Sequence, residues 1–213
     1  MVKIVFIRHG YSDGNKNGIF TGQLDVSLTP EGYVQAQSVC GYVGANFKID
    51  AIYSSDLCRA RDTVAPLASA LDLPVTLDKR LREIDTGVWT SRYVSDIEAE
   101  YPERFYEFCR NMGDFCFEGG ESALDVVRRT NEALAEIAEL NDGKTVAIGT
   151  HGGVIRRCCA AWQGLFGEDM QKLKTPSNAS ITVIEYDRGE VKILEYSTDS
   201  YLRERVSEMP IVK

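Results

Sequence analysis

The chain has 213 residues, of which 44% are hydrophobic and 26% charged, the make-up of a globular protein long enough to bury a substantial core in one domain. A formal charge of −8 argues against nucleic acid or an anionic membrane as partner, but it admits a small anion held by arginines focused in a cleft. Residues 1–7 are too short an apolar run for a signal peptide, and no stretch approaches the roughly 20 apolar residues of a membrane span, so a cytoplasmic protein is expected.

Residues 3–7 read as a strand buried on both faces. Thr29 then offers an N-cap with Pro30 at the first helical position, and Val34, Val39, Tyr42 and Val43 supply the buried stripe of that helix. Residues 51–54 form a second strand. Asp56 is the expected cap of the next helix, along which Leu57, Ala60, Val64, Leu67, Ala68 and Leu71 keep helical spacing until Pro74. Residues 75–77 give a weaker third strand. Residues 93–118 are aromatic, charged and irregular in pattern, and read as an inserted helical lid.

Ser122 and Asp125 resemble a capping box ahead of Leu124, Val127, Leu134 and Ala138, and Asn141-Asp142-Gly143 stops that helix. A buried strand over 145–149 and a helix from Gly153 to about Leu165 follow. Residues 180–186 and 191–196 flank a turn and read as a hairpin. Tyr201 and Leu202 hint that the tail over 197–213 docks on the body. Strands alternating with helices predict an α/β three-layer sandwich: a single domain over 1–213 with a mainly parallel central sheet, an antiparallel edge and the lid insertion. Ligands of such sheets gather at the carboxyl ends of the strands.

The chain has only two histidines, His9 and His151, and each is followed by glycine just after a predicted strand. Both are therefore expected at that carboxyl edge, with a helix amino terminus after Gly153 facing any anion there. Arg8 adjoins His9, and Arg59 follows the second strand to the same edge; a guanidinium fork suits phosphate oxygens and stays charged. Arg61 and Arg80 read as solvated charges. An acid is needed to protonate a leaving alkoxide, and a carboxyl beside bound phosphate is favoured in its protonated form. Glu83 and Asp85 both qualify by position, and spacing leaves both open. The six cysteines (Cys40, Cys58, Cys109, Cys116, Cys158 and Cys159) are scattered, with no Cys-x-x-Cys pair. Neither a disulfide framework nor a metal site is expected, and no other cofactor is called for. The adjacent Cys158 and Cys159 are poorly placed for a redox role, since neighbours on a helix point apart.

Arg8-His9-Gly10 with Asn15, then Thr21-Gly22 and Asp25 before Leu28-Thr29-Pro30-Glu31-Gly32, resemble the opening of the histidine phosphatase superfamily, the phosphoglycerate mutase-like group. The likeness continues in Ser54-Ser55 with Arg59-Ala60 and Thr63, in Leu81-Arg82-Glu83 with Gly87 and Trp89, in Gly119-Gly120-Glu121-Ser122, and in His151-Gly152-Gly153. The resemblance implies His9 as phosphorylated nucleophile, Arg8, Arg59 and His151 as holders of the phosphoryl group, and Glu83 as proton donor. It implies contacts to substrate from Asn15, Thr21, Gly22 and Gly152. The short segment between Glu83 and His151 looks more like the phosphatase branch, which includes alpha-ribazole phosphatases, than like the mutases. The expected partner is a small phosphorylated substrate, and a homodimer is left open. A cofactor-dependent mutase and a catalytically idle phospho-ligand binder are the alternatives. In one departure from the branch, Thr90-Ser91-Arg92 follow Trp89; Arg92 reads as a surface charge, or else as a contact for a second anionic group on the substrate.

Overall fold

The computed structural model describes residues 1–202. In chain order it holds β1 (Val2–Arg8), α1 (Asp13–Asn17), α2 (Pro30–Asn46), β2 (Ala51–Ser54), α3 (Cys58–Leu71), β3 (Val75–Leu77), α4 (Val94–Glu100) and α5 (Pro102–Arg110). There follow α6 (Ala123–Leu140), β4 (Thr145–Thr150), α7 (Gly152–Trp162), β5 (Ile181–Asp187) and β6 (Glu190–Thr198). The strands lie in the order β3-β2-β4-β1-β5-β6. The first four are parallel, β5 runs against β1, and β6 against β5, so the α/β sandwich with an antiparallel edge is what the chain forms.

Alternation along β1 explains the layers. Val2, Ile4 and Phe6 pack with Leu134 and Ile137 of α6 and Ile155 of α7, while Val5 and Ile7 pack with Val39 and Val43 of α2 and Val64 and Leu67 of α3. A strand apolar on both faces is thereby covered on both. Arg188 and Gly189 take φ of 50° and 92°, the left-handed pair that a two-residue hairpin turn between β5 and β6 requires.

Thr29 caps α2 through the amide of Gly32 at 3.1 Å, and Ser122 and Asp125 complete both halves of their capping box on α6. Two stripes are out of phase with expectation. Val34 is 67% exposed and Leu124 63%. With Val39 and Val43 inward, Val34 lies about 140° round the helix from Val39, and Leu124 is about 80° off the line of Leu134. The buried faces run instead through Ala36, Val39, Cys40 and Val43, and through Ala123, Val126, Thr130, Ala133, Leu134 and Ile137. Asp56 does not cap α3, because its carboxylate is forked onto Arg82 at 2.6 Å. The cap comes from another loop: Asp25 Oδ1 accepts the Cys58 amide at 2.7 Å. Helix α7 stops at Trp162, earlier than expected, where Gly164 turns left-handed at φ 71°.

Residues 93–118 are more regular than their pattern suggests and carry α4 and α5. Phe105, Phe108, Phe115 and Phe117 form a third core there, joined by Phe20 and Trp89 from outside the segment; the rings of Phe115 and Phe117 meet edge to face with centroids 5.0 Å apart. Tyr201 stacks on Tyr42 at 4.3 Å and donates to the Ala179 carbonyl at 2.7 Å. The rest of the tail, 203–213, lies outside the described residues. No helix among the described residues is long and apolar enough to cross a membrane.

Candidate active site

The register of the sheet brings the two histidines together. β1 pairs with β4 so that Arg8 is opposite Thr150, and the His9 amide donates to the Thr150 carbonyl at 3.0 Å. The next residue on each strand is a histidine, and the two rings lie edge to face with centroids 5.2 Å apart. They border a cavity of about 330 Å³ at the carboxyl edge of the parallel strands, whose wall includes Arg8, His9, Asn15, Thr21, Gly22, Arg59, Glu83 and Gly152. His151, fully buried, lies behind that wall beside His9.

The tautomer of His9 follows from its hydrogen bond. His9 Nδ1 is 2.7 Å from the Gly10 carbonyl oxygen. A carbonyl can only accept, so the neutral ring carries its proton on Nδ1 and leaves the Nε2 lone pair available. Burial, then the charges of Arg59 and Arg8, hold its pKa well below the ordinary histidine value. Burial, then Arg59 and His9, does the same to His151. Both rings are neutral at physiological pH. His151 Nε2 meets Ser55 Oγ at 2.9 Å, while its Nδ1 is buried without a partner.

The loop after β1 is held from several sides. The Gly10 amide donates to Thr63 Oγ1 at 3.0 Å, and a side chain at Gly10 would sit 2.5 Å from the Gly32 carbonyl oxygen, which is why glycine follows His9. Asn178 Nδ2 reaches the carbonyls of His9 at 3.1 Å and Gly10 at 3.3 Å, and Asn15 Oδ1 at 3.2 Å. Asn15 thus spends its oxygen on Asn178 and Ser12, and its amide nitrogen has no acceptor among the described residues. Arg59 donates to the Leu24 carbonyl at 2.8 Å and the Gly22 carbonyl at 3.0 Å, tying the loop that carries Thr21 and Gly22 to the floor of the site. Arg8 donates to the Pro176 carbonyl.

Geometry separates the two acids that spacing left open. Glu83 lines the cavity, and its carboxylate accepts the amides of Ile84 at 2.8 Å and Gly153 at 3.0 Å, the second at the amino terminus of α7. Asp85 is turned away to cap the Gly87 amide at 2.9 Å. Arg129 fixes the segment below. It donates to the carbonyls of Arg80 at 2.6 Å and Glu83 at 3.0 Å, and pairs with Glu121 at 2.7 Å.

Arg61 pairs with Asp62, and Arg80 with Asp78 and Glu136, away from the cavity. Arg92 also leaves the site: it pairs with Glu100 and lies over the Tyr101 ring. Burial raises Cys158 to about 12 and Cys159 well above the usual thiol range, which makes thiolate chemistry there unfavourable. Among the described residues no three His, Cys, Asp or Glu side chains gather as a metal site. Sequence reasoning missed Asn178, Arg129 and two further arginines of the wall, Arg156 and Arg157. Asn178 sits in a plain turn, and the arginines look like ordinary helix charges until the helix is seen to start at the cavity.

An α/β sandwich with two neutral histidines and buried arginines at its carboxyl edge has the charge and donors that suit an anion. Residues 4–199 match the model of the histidine phosphatase superfamily (branch 1), and the chain belongs to that family. Phosphoserine phosphatase 1 of Hydrogenobacter thermophilus is 32% identical over 206 residues, 96% of each chain. A probable phosphoglycerate mutase of Salmonella choleraesuis is 30% identical, covering 89% of this chain and 87% of that one. Among solved structures, a mycobacterial glucosyl-3-phosphoglycerate phosphatase in complex with VO3 superposes with a TM-score of 0.85 at 29% identity, over 92% of this chain and 99% of that one.

Proposed function

We propose that the protein is a metal-independent phosphomonoesterase that passes the phosphoryl group of a small metabolite through His9. The observation that carries this reading is the fixed tautomer of His9: a neutral ring with a bare Nε2 in a cationic cavity. Nε2 attacks phosphorus, the ester P–O bond breaks, and Glu83 gives its proton to the departing alkoxide. Arg8, Arg59 and the amide of Asn15 hold the transferring oxygens, with His151 donating behind them, so charge that develops in the transition state meets preset donors. The family relation and the phosphatases among its relatives support the roles. Water then attacks the phosphohistidine, Glu83 takes the water's proton, the P–N bond breaks and inorganic phosphate leaves. Residues of 93–118 that reach the wall, Phe108, Cys109, Met112 and Phe117, select the substrate in this reading.

A second reading, a phosphoglycerate mutase, rests on the mutase-named relative. The test is phosphate release across a panel of phosphomonoesters, with 3-phosphoglycerate isomerisation assayed alongside, for wild type and His9→Ala. Release that survives EDTA, disappears in the variant and comes without isomerisation is the expected result, with a burst of acid-labile phosphoenzyme. Bisphosphate-dependent isomerisation exceeding hydrolysis makes it a mutase. Silence in both assays leaves a phospho-ligand binder.

A further inference from the structure

Of the twelve described arginines other than Arg8, all but Arg59, Arg156, Arg157 and the exposed Arg188 have a carboxylate partner, and Arg59 is already tied to the Gly22 and Leu24 carbonyls. Arg61, Arg80, Arg82, Arg92, Arg104, Arg110, Arg128 and Arg129 each have a carboxylate partner. Arg156 and Arg157 have none among the described residues, although they are only 9% and 4% exposed. Their hydrogen bonds go to neutral groups and are long. Arg157 donates to the Gly153 carbonyl at 3.2 Å, and Arg156 to Thr175 Oγ1 at 3.2 Å and the Met170 carbonyl at 3.3 Å. The Nε of each is buried with no acceptor. Burial pulls Arg157 down to about 10, which still leaves it a cation at neutral pH. Glu83 supports the charge of Arg157 across the cavity, but neither guanidinium is in an ion pair with a carboxylate among the described residues, and buried cations left so are costly to keep. In a chain with 32 acidic residues this is a feature of the cavity rather than of the composition.

Both arginines line the cavity that holds His9. They follow from where α7 begins: with His151 as its N-cap, positions 152, 153, 156 and 157 fall on the turn facing the site. Glu83 tells which side of the phosphorus they occupy. A side chain added at Gly153 would meet both the Glu83 carboxylate, at 2.3 Å, and the Arg157 guanidinium, at 2.7 Å, so acid and arginine lie against the same glycine. The acid serves the leaving oxygen, and Arg157 therefore flanks the leaving alcohol.

We propose that Arg157, assisted by Arg156, binds a second anionic group, carboxylate or phosphate, carried on the alcohol part of the substrate. The inference rests on the phosphatase reading for its orientation and names Arg157 as a specificity-determining residue. The preferred substrates are then esters of anionic alcohols, and neutral alcohol phosphates are poor ones. Arg92, which sequence alone offered for this task, is committed elsewhere.

The test uses 3-phosphoglycerate, propane-1,3-diol bisphosphate and glycerol 3-phosphate, whose remote groups are carboxylate, phosphate and hydroxyl. Calorimetric affinities are measured in His9→Ala protein, where no turnover is needed, and kcat/KM in the catalytic form. One or both anionic esters should bind at least tenfold tighter than the neutral one, and the better of the two identifies the group. Arg157→Met should erase most of that ratio, largely through KM, and Arg157→Lys should restore part of it. A ratio near one in the otherwise unaltered His9→Ala protein overturns the proposal even where Arg157→Met fails to fold, and so does a ratio that Arg157→Met leaves in place. Selective binding with no hydrolysis of any ester by wild type retains the subsite and removes the phosphatase reading. Hydrolysis without selectivity does the reverse.

Discussion

Gly153→Ala should disable the acid without weakening the fold. The added methyl would lie 2.3 Å from Glu83 Oε1 and 2.7 Å from an Arg157 nitrogen, whereas carbon and oxygen in contact settle beyond 3 Å, so Glu83 must retreat by roughly 1 Å. Both obstructing atoms are the ends of flexible side chains, and alanine is favoured over glycine inside a helix by up to roughly 1 kcal/mol. Stability should therefore hold or rise slightly. A displacement of that size costs a positioned catalytic group about 100-fold, within the 10²–10⁴ that general acid catalysis contributes. The loss should depend on the leaving group, since an alkoxide needs the proton and nitrophenolate does not. In kcat/KM, which reports transfer to His9, glycerol 3-phosphate should lose about 100-fold and 4-nitrophenyl phosphate only a few-fold. Glu83→Gln should reproduce the pattern. Equal losses on both esters, or none on the alkyl ester, would refute Glu83 as the acid and the crowding argument with it.

The pH dependence of stability has a definite sign. His9 and His151 are buried with pKa values held well below the ordinary value, so the unfolded chain binds more protons in the window beneath it. Their contribution is complete above the unfolded pKa of about 6.5 and is lost as pH falls from there through the folded values. Melting temperatures should drop between pH 7.5 and 5.5, and the drop should shrink in His9→Asn; a flat profile would show that the rings are not buried neutral. Arg129→Met removes a pair with Glu121 and two bonds to carbonyls under the acid. Denaturant titration should show a loss of about 2 kcal/mol, with kcat falling alongside, and unchanged kcat would detach Arg129 from the site. Asn178→Ala removes the donor shared by the carbonyls of His9 and Gly10 and the side-chain oxygen of Asn15. Activity at saturating substrate should fall at least tenfold by loss of positioning, and a change confined to stability would make Asn178 structural only.

Much of this fold is legible because short-range chemistry enforces it. Residues 3–7 are apolar at every position but Lys3, and only a strand covered on both faces satisfies that. Thr29-Pro30 and Ser122 with Asp125 each satisfy orphan amides within one turn, so their effect needs no knowledge of the rest of the chain. The failures are long-range. Asp56 has the chemistry of a cap, but Arg82, twenty-six residues away, takes its carboxylate, and Asp25 from another loop supplies the cap instead. Leu124 is apolar at a plausible phase, yet the capping box and the inward pull of Leu134 set the helix rotation that exposes it. In the site, His9 and His151 announce themselves by rarity and by the glycines after them. Arg156 and Arg157 do not, since two arginines on a helix usually mean a solvated face.

The placement of Arg156 and Arg157 bears on how an acidic protein would handle an anion. Eight arginines here are matched to carboxylates at or near the surface, where such pairs contribute little to stability and screen one another. Among the described residues, the buried arginines without a carboxylate ion pair, Arg59, Arg156 and Arg157, all line the cavity at the carboxyl edge of the sheet. There low dielectric strengthens each guanidinium's field, which the single carboxylate of Glu83 offsets only in part. Burial, then the charges of Arg59 and Arg8, keeps the pKa of His9 down; on the proposed function the same cations would also attract the phosphorylated ligand. Neutralising Arg59 should consequently act twice, on ligand affinity and on the protonation of His9. A fall in affinity unaccompanied by a rise in the pH at which His9 loses its proton would separate the two effects.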